Sequence, residues 1–237
     1  MKAKIWYLYH SGFAVRTVEH FLIFDYWRTT PSGGGLDNGV IDITELRNEN
    51  VVVFASHGHP DHFAPVILRW HEAVPKLRLV LSDDIKVADN AFIVGPGMTL
   101  EQPDMTVHTL ASNDEGVAFI VEVDGMIIYH AGDLNWWHWE GEPLDENEEM
   151  AASYRSQMDI LAGYPIDIAF VPLDPRLEDQ YAWGIDYLMR TVDVRNVVPM
   201  HFGDKPGTVE RFLQDSASVP YRDKVISLTK RGESAEI

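Results

Sequence analysis

The stretch that most constrains this chain is Ser56-His57-Gly58-His59-Pro60-Asp61-His62, which sets three imidazoles and a carboxylate directly behind the apolar run Val51-Val52-Val53-Phe54-Ala55. A β-branched run that ends in glycine and proline reads as a buried strand emptying into a tight loop. Imidazole is the commonest protein ligand for metals, and carboxylate oxygen also suits a divalent cation. Such density at a strand end therefore points to metal binding, against the plainer reading of a polar loop that is merely rich in histidine. The chain has no cysteine, so any ion must be held by nitrogen and oxygen. The same absence removes disulfides and thiol nucleophiles and fits a reducing cytosol.

Around this loop the pattern predicts many short strands. The chain opens with a meander over residues 4–9, 14–18 and 21–25, followed by a Gly- and Ser-rich loop over 29–39. Apolar residues at Phe63, Val66, Ile67, Trp70 and Val74 have helical spacing, which would place Asp61 and His62 near a helix N-terminus. Further strands are expected over 77–81, 91–94, 105–110, 117–123, 126–131, 166–171, 196–200 and 224–228, with helices over 145–162, 179–192 and 207–216. Strands early, then strands alternating with helices, suit two sheets packed face to face with helices outside. A length of 237 residues with 46% hydrophobic content fits one domain, 1–237.

His57-x-His59-x-Asp61-His62, with Gly132-Asp133 after a second strand and His201 after a third, resembles the H-x-H-x-D-H signature of the metallo-β-lactamase-fold hydrolases. Tyr129-His130-Ala131-Gly132-Asp133 in a chain without a large insertion is similar to the branch that includes L-ascorbate 6-phosphate lactonase. The resemblance implies an α/β (α+β) fold, the αββα four-layer sandwich, and one or two divalent ions, zinc first with manganese or iron as alternatives. It gives one ion His57, His59 and a further histidine, and gives the other Asp61, His62 and His201, with Asp133 bridging. Asp61 and Asp133 would be the catalytic carboxylates. Asp25 would support the loop from behind or simply cap a turn, and His10 would lie near the site or merely end a strand. The pattern is broken at Ala111-Ser112-Asn113-Asp114-Glu115-Gly116, where the further histidine is due and Asn113 stands instead. Asp114 is the nearest substitute donor; His108 and His130 rank below it.

Trp136-Trp137-His138-Trp139 follows Asp133 and could line a substrate pocket or pack under a loop. Arg176 and Lys205 follow strand ends and could hold an anionic group or pair with the excess carboxylates. Lys and Arg total 19 against 37 for Asp and Glu, a formal charge of −18, which disfavours nucleic acid and anionic membranes as partners. No apolar run approaches the ~20 residues of a membrane helix, so a cytoplasmic protein acting on a small molecule is expected. The resemblance implies hydrolysis, by metal-activated water, of a small and possibly anionic ester, lactone or phosphate-containing metabolite. The alternatives are a phosphodiesterase or nuclease of the same fold, or a degenerate member that binds without turnover, as Asn113 suggests.

Overall fold

The computed structural model describes residues 2–86 and 90–237. The first sheet takes up the N-terminal strands β1 (Lys4–Tyr9), β2 (Gly12–Arg16), β3 (His20–Phe24), β4 (Asn50–Ala55), β5 (Arg78–Ser82) and β6 (Phe92–Val94) in sequential order. The second sheet runs in sequence order from β7 (Thr99–Gln102) through β8 (Met105–Ala111), β9 (Val117–Val123), β10 (Met126–His130) and β11 (Ile166–Pro172) to β12 (Val194–Met200). A short C-terminal strand, β13 (Ser234–Glu236), returns to pair with β1 and covers that edge of the first sheet.

The strand alternation decides the layering. In β3 and β4, Leu22, Phe24, Val52 and Phe54 point into the core between the sheets, whereas Phe21, Ile23, Val51 and Val53 point to the opposite face. Because both faces of this sheet are apolar, both must be covered. The second sheet shares the central core and is backed by the helices α1 (Leu144–Leu161) and α2 (Trp183–Thr191), whose Tyr154, Met158, Ile185 and Leu188 join it; α3 (Gly207–Gln214) adds Val209 and Phe212. Each such side chain, taken out of water, contributes roughly 1.5–3 kcal/mol before entropy is counted. The four-layer α/β sandwich is therefore present.

The first sheet's outer layer differs from the expectation. In place of the α-helix expected directly after the histidines, a 3₁₀ segment, Pro65–Glu72, covers that face with Ile67 and Trp70. Pro65 forces Ala64 into extended backbone (φ −104, ψ 121), so no helix can begin at Phe63. Asp61 and His62 consequently lie in a turn, and a helix dipole does not act on them. The helix expected over 179–192 begins only at Trp183, behind a 3₁₀ segment, Pro175–Gln180, that is kinked at Glu178 with φ +54. The segment 224–228 is not a strand: it meets β12 through a single bridge, Val197 to Val225, beside a 3₁₀ turn at Arg222–Lys224. β7 and β13, both short and largely exposed, had no apolar alternation to announce them.

Candidate metal centre

Strand ends of both sheets converge on one point. The loop after β4 brings His57, His59 and His62 from the first sheet, while Asp133 follows β10 and His201 follows β12 in the second. Two glycines allow the approach. A Cβ on Gly116 would lie 2.0 Å from the Ser56 carbonyl oxygen, and one on Gly132 would lie 2.7 Å from Ser56 Cβ. Both have positive φ, so the chains flanking the site press directly on Ser56. The Ser56 carbonyl also accepts the Val117 N–H at 3.0 Å, tying β9 to the start of the histidine loop.

The imidazoles are held from outside by oxygen. His62 Nδ1–H donates to Asp25 Oδ2 at 2.7 Å and His201 Nδ1–H donates to Asp174 Oδ2 at 2.9 Å. Ser56 donates its hydroxyl to Asp25 at 2.7 Å, which leaves Ser56 Oγ to accept from His57 Nδ1 at 3.0 Å. His59 turns Nε2 toward Glu115 Oε2 at 3.3 Å. These partners fix the outer nitrogen of each ring and turn the other one inward, where it can serve as a donor once it carries no proton. His57 Nε2 lies 3.6 Å from Asp133 Oδ2, and the Nε2 atoms of His62 and His201 each lie 3.2 Å from Asp133 Oδ1. The two carboxylate oxygens are thus divided between two groups of rings.

Burial makes this arrangement costly without a cation. His57, His62, His201 and Asp133 are buried, and His62 Nε2 and Asp133 Oδ1 have no hydrogen-bond partner among the described residues. Buried orphans of this kind cost free energy unless something fills the space between them. Burial pulls the His201 imidazole down, but the Asp133 and Asp174 carboxylates outweigh it and lift its pKa to about 9. His62 is raised by the same contest between burial and the Asp133 and Asp25 charges. Burial pushes Asp133 up, but His201 and His62 hold it well below the usual carboxylate range. His57, His59 and Asp133 form one compact donor group; His10, His62 and His201 form another. The donors are nitrogen and carboxylate oxygen, a set that fits a divalent ion.

Of the expected residues, His57, His59, His62, Asp133 and His201 come together. Asp61 stands at the mouth, its side chain half exposed and its Oδ2 3.6 Å from His10 Nε2. Asn113 does not point at the centre. Its amide donates to the carbonyls of Asn135 and Met150 and accepts the Asn135 N–H, which leaves it committed to the loop after Asp133. Asp114 is exposed, its backbone N–H donates to the Ser112 hydroxyl, and it belongs to neither donor group. His130 stacks on Phe24 and donates to the Ser11 carbonyl, and His108 bonds Thr99 and Glu122, so neither is a donor here. Asp25 does stand behind the loop, fully buried. Asp174, Ser56 and Glu115 were missed; only Asp174, at the end of an apolar strand, carried a signal comparable to that of Asp25.

The aromatic run divides. Trp137 is buried with its ring edge-on to His201, 5.7 Å between centroids, and Trp139 stacks on Trp137 at 5.9 Å. Trp136 and His138 turn instead to Trp183 on α2. Arg176 lies over the Trp139 ring while its Nε and Nη2 bond Asp174, so Asp174 is shared between Arg176 and His201. Lys205 is exposed in the turn after His201. A groove of about 500 Å³ opens beyond Trp139, lined by Asn113, Glu142, Glu146, Glu149 and Met150.

The profile of the family described as "Beta-lactamase superfamily domain" matches residues 4–143, more than half of the chain. A curated metal-dependent hydrolase of Opitutus terrae, of the UPF0173 group, is 26% identical over 99% of this chain and 100% of its own length. Igni18, a metallo hydrolase of the archaeon Ignicoccus hospitalis, superposes with a TM-score of 0.68 at 19% identity, covering 99% of both chains. The metallo-β-lactamase fold protein YhfI of Bacillus subtilis superposes at 0.62 and 13% identity, again over 99% of both. With its fold, its paired donor groups and this family match, the chain belongs to the beta-lactamase superfamily, among its metal-dependent hydrolases.

Proposed function

We propose that residues 1–237 form one hydrolase domain that binds up to two divalent ions, zinc first, at His57, His59, His62, His201 and Asp133, and cleaves a small ester, lactone or phosphate-containing metabolite. The observation that carries this reading is the division of three inward imidazole nitrogens, those of His57, His62 and His201, between the two oxygens of Asp133. A divalent ion in such a site lowers the pKa of a bound water from 15.7 to about 7 and polarises the scissile group. The remaining work falls to the chain. Asp133 holds the donor groups in register, and Asp61, half exposed at the mouth, can take a proton from the attacking water and pass it to solvent. Trp137 and Trp139 wall one side and exclude water there.

Charge orients the substrate. An anionic end would meet Arg176, exposed over the Trp139 ring although paired with Asp174, whereas the groove beyond Trp139 presents Glu142, Glu146 and Glu149 and repels it. This supports a small substrate with its anionic end toward Arg176, in keeping with the lactonase-like branch, and argues against an oligonucleotide. Metal analysis followed by a panel of lactones, carboxylic esters and phosphodiesters tests the reading. Turnover of a small lactone or ester by the metal-loaded protein, reduced by about 10² to 10⁴ in Asp61→Asn, is expected. A protein that takes up no divalent ion, or one that cleaves only oligonucleotides, would refute it.

A further inference from the structure

We propose that His10 is a metal ligand, the third imidazole of an inner position formed with His62, His201 and Asp133; this rests on the metal-site reading above. Three imidazoles would then serve the inner ion and two, His57 and His59, the outer one. That apportionment reverses the one implied by the resemblance, in which the outer ion has the extra imidazole and the inner one has Asp61.

The ring of His10 faces the inner group directly. Its centroid lies 4.0 Å from that of His201 and 5.7 Å from that of His62, and donor atoms of the three rings all lie within 4.8 Å of one another. His10 Nε2 is buried and, like His62 Nε2 and Asp133 Oδ1, has no hydrogen-bond partner among the described residues. Three orphaned buried atoms on three different segments face one space, which is the pattern a bound cation resolves. Asp61 does not relieve His10, because their closest atoms are 3.6 Å apart, beyond hydrogen-bond range.

The backbone sets where this ring lies. His10 has φ +58 and His201 has φ +67, left-handed conformations that are strained for a non-glycine residue. The two strained residues are bonded to each other through His201 N–H and the His10 carbonyl at 3.3 Å, and the His10 N–H is fixed by the Tyr7 hydroxyl at 2.8 Å. The two-residue connection from β1 to β2 accounts for the left-handed turn by itself, and the bond to the His201 N–H sets His10 against the end of β12. Three nitrogens with one carboxylate oxygen make a complete four-donor set for zinc. The outer position, with Asn113 turned away, has two nitrogens and the second Asp133 oxygen.

The test is titration of the metal-stripped full chain with cobalt, following the visible spectrum, for the wild type and for His10→Gln, His62→Gln and His59→Gln. The expected result is that His10→Gln, like His62→Gln, weakens the first ion by about 100-fold and changes its spectrum, whereas His59→Gln affects only the second ion. X-ray absorption of the wild type at one equivalent of zinc should count three imidazoles, a readout that does not depend on any variant folding. First-ion affinity within twofold of wild type in His10→Gln, or two imidazoles in the absorption spectrum, overturns the proposal and leaves the metal centre standing. A wild-type protein that binds no cobalt overturns both.

Discussion

His57 Nε2 and His59 Nδ1 face each other at 3.0 Å although the other nitrogen of each ring is turned to a different oxygen, Ser56 Oγ for His57 and Glu115 for His59. Two lone pairs that close repel unless a proton or a cation lies between them. Glu115 faces the centre only through His59, where it favours the proton on the outer nitrogen. Glu115→Ala lets that proton move to Nδ1 and bond His57, which competes with the ion. Affinity for the second ion should fall by about 10-fold or more, with the first ion unaffected, in a two-site titration. Equal loss at both sites would show that Glu115 acts by some other route.

Asn113→His is predicted by the resemblance alone to add a zinc ligand. The structure predicts otherwise, because the Asn113 amide makes three hydrogen bonds to the 135 and 150 segments. An imidazole cannot reproduce that pattern, so the variant should lose about 1–3 kcal/mol of stability and gain no zinc affinity. Denaturant unfolding with a zinc competition assay checks both halves. Asp114→Ala should leave metal content unchanged.

Asp25 is buried and accepts from the Ser56 N–H, the Ser56 hydroxyl and His62 Nδ1. Asp25→Asn removes a charge the ring relies on and puts a donor where an acceptor is needed. A 10- to 100-fold loss of metal affinity is expected, together with a lower melting temperature. Undisturbed metal binding in a folded Asp25→Asn protein would mean that His62 is oriented from elsewhere.

The metal-stripped protein should lose stability as pH rises. His201 titrates at about 9 when folded against roughly 6.5 when unfolded, so its contribution is complete below about 6.5 and disappears as pH climbs through 9. A metal ion takes the same nitrogen only after the proton leaves, so affinity should rise over that window. Thermal melts at pH 6.5, 7.5 and 9 should fall for the stripped protein and not for the loaded one. A flat series in the stripped protein counts against a proton on His201.

Much of this centre was legible in the chain because the candidate donors sit at strand ends with fixed local signatures. His57, His59 and His62 follow an unmistakable buried strand, and Asp133 and His201 each follow another. The two core sheets were legible for the same reason, a run of β-branched residues. What escaped depends on long-range geometry. Nothing local distinguishes Asp174 from any acid after a strand until the fold places it 2.9 Å from His201. Asn113 fell at the expected position by counting, but its direction is set by partners 22 and 37 residues away. The missing α-helix after His62 is a case of apolar periodicity overruled by one residue, Pro65, which 3₁₀ and α spacing over eight residues could not have separated.

The placement of the donors makes an ion here a cross-link. His57, His59 and His62 hang from the first sheet and Asp133 and His201 from the second, with Ser56 wedged where the two approach most closely. An ion held by both sets binds the folded pair of sheets and not the separated ones, so it acts as a rivet across the sandwich and stabilises by an amount that grows with the logarithm of its concentration over Kd. Amide exchange in β4, β10 and β12 should slow together when the ion is added, although these strands lie in different sheets. Metal supply would then set how long the molecule lasts as well as how fast it works.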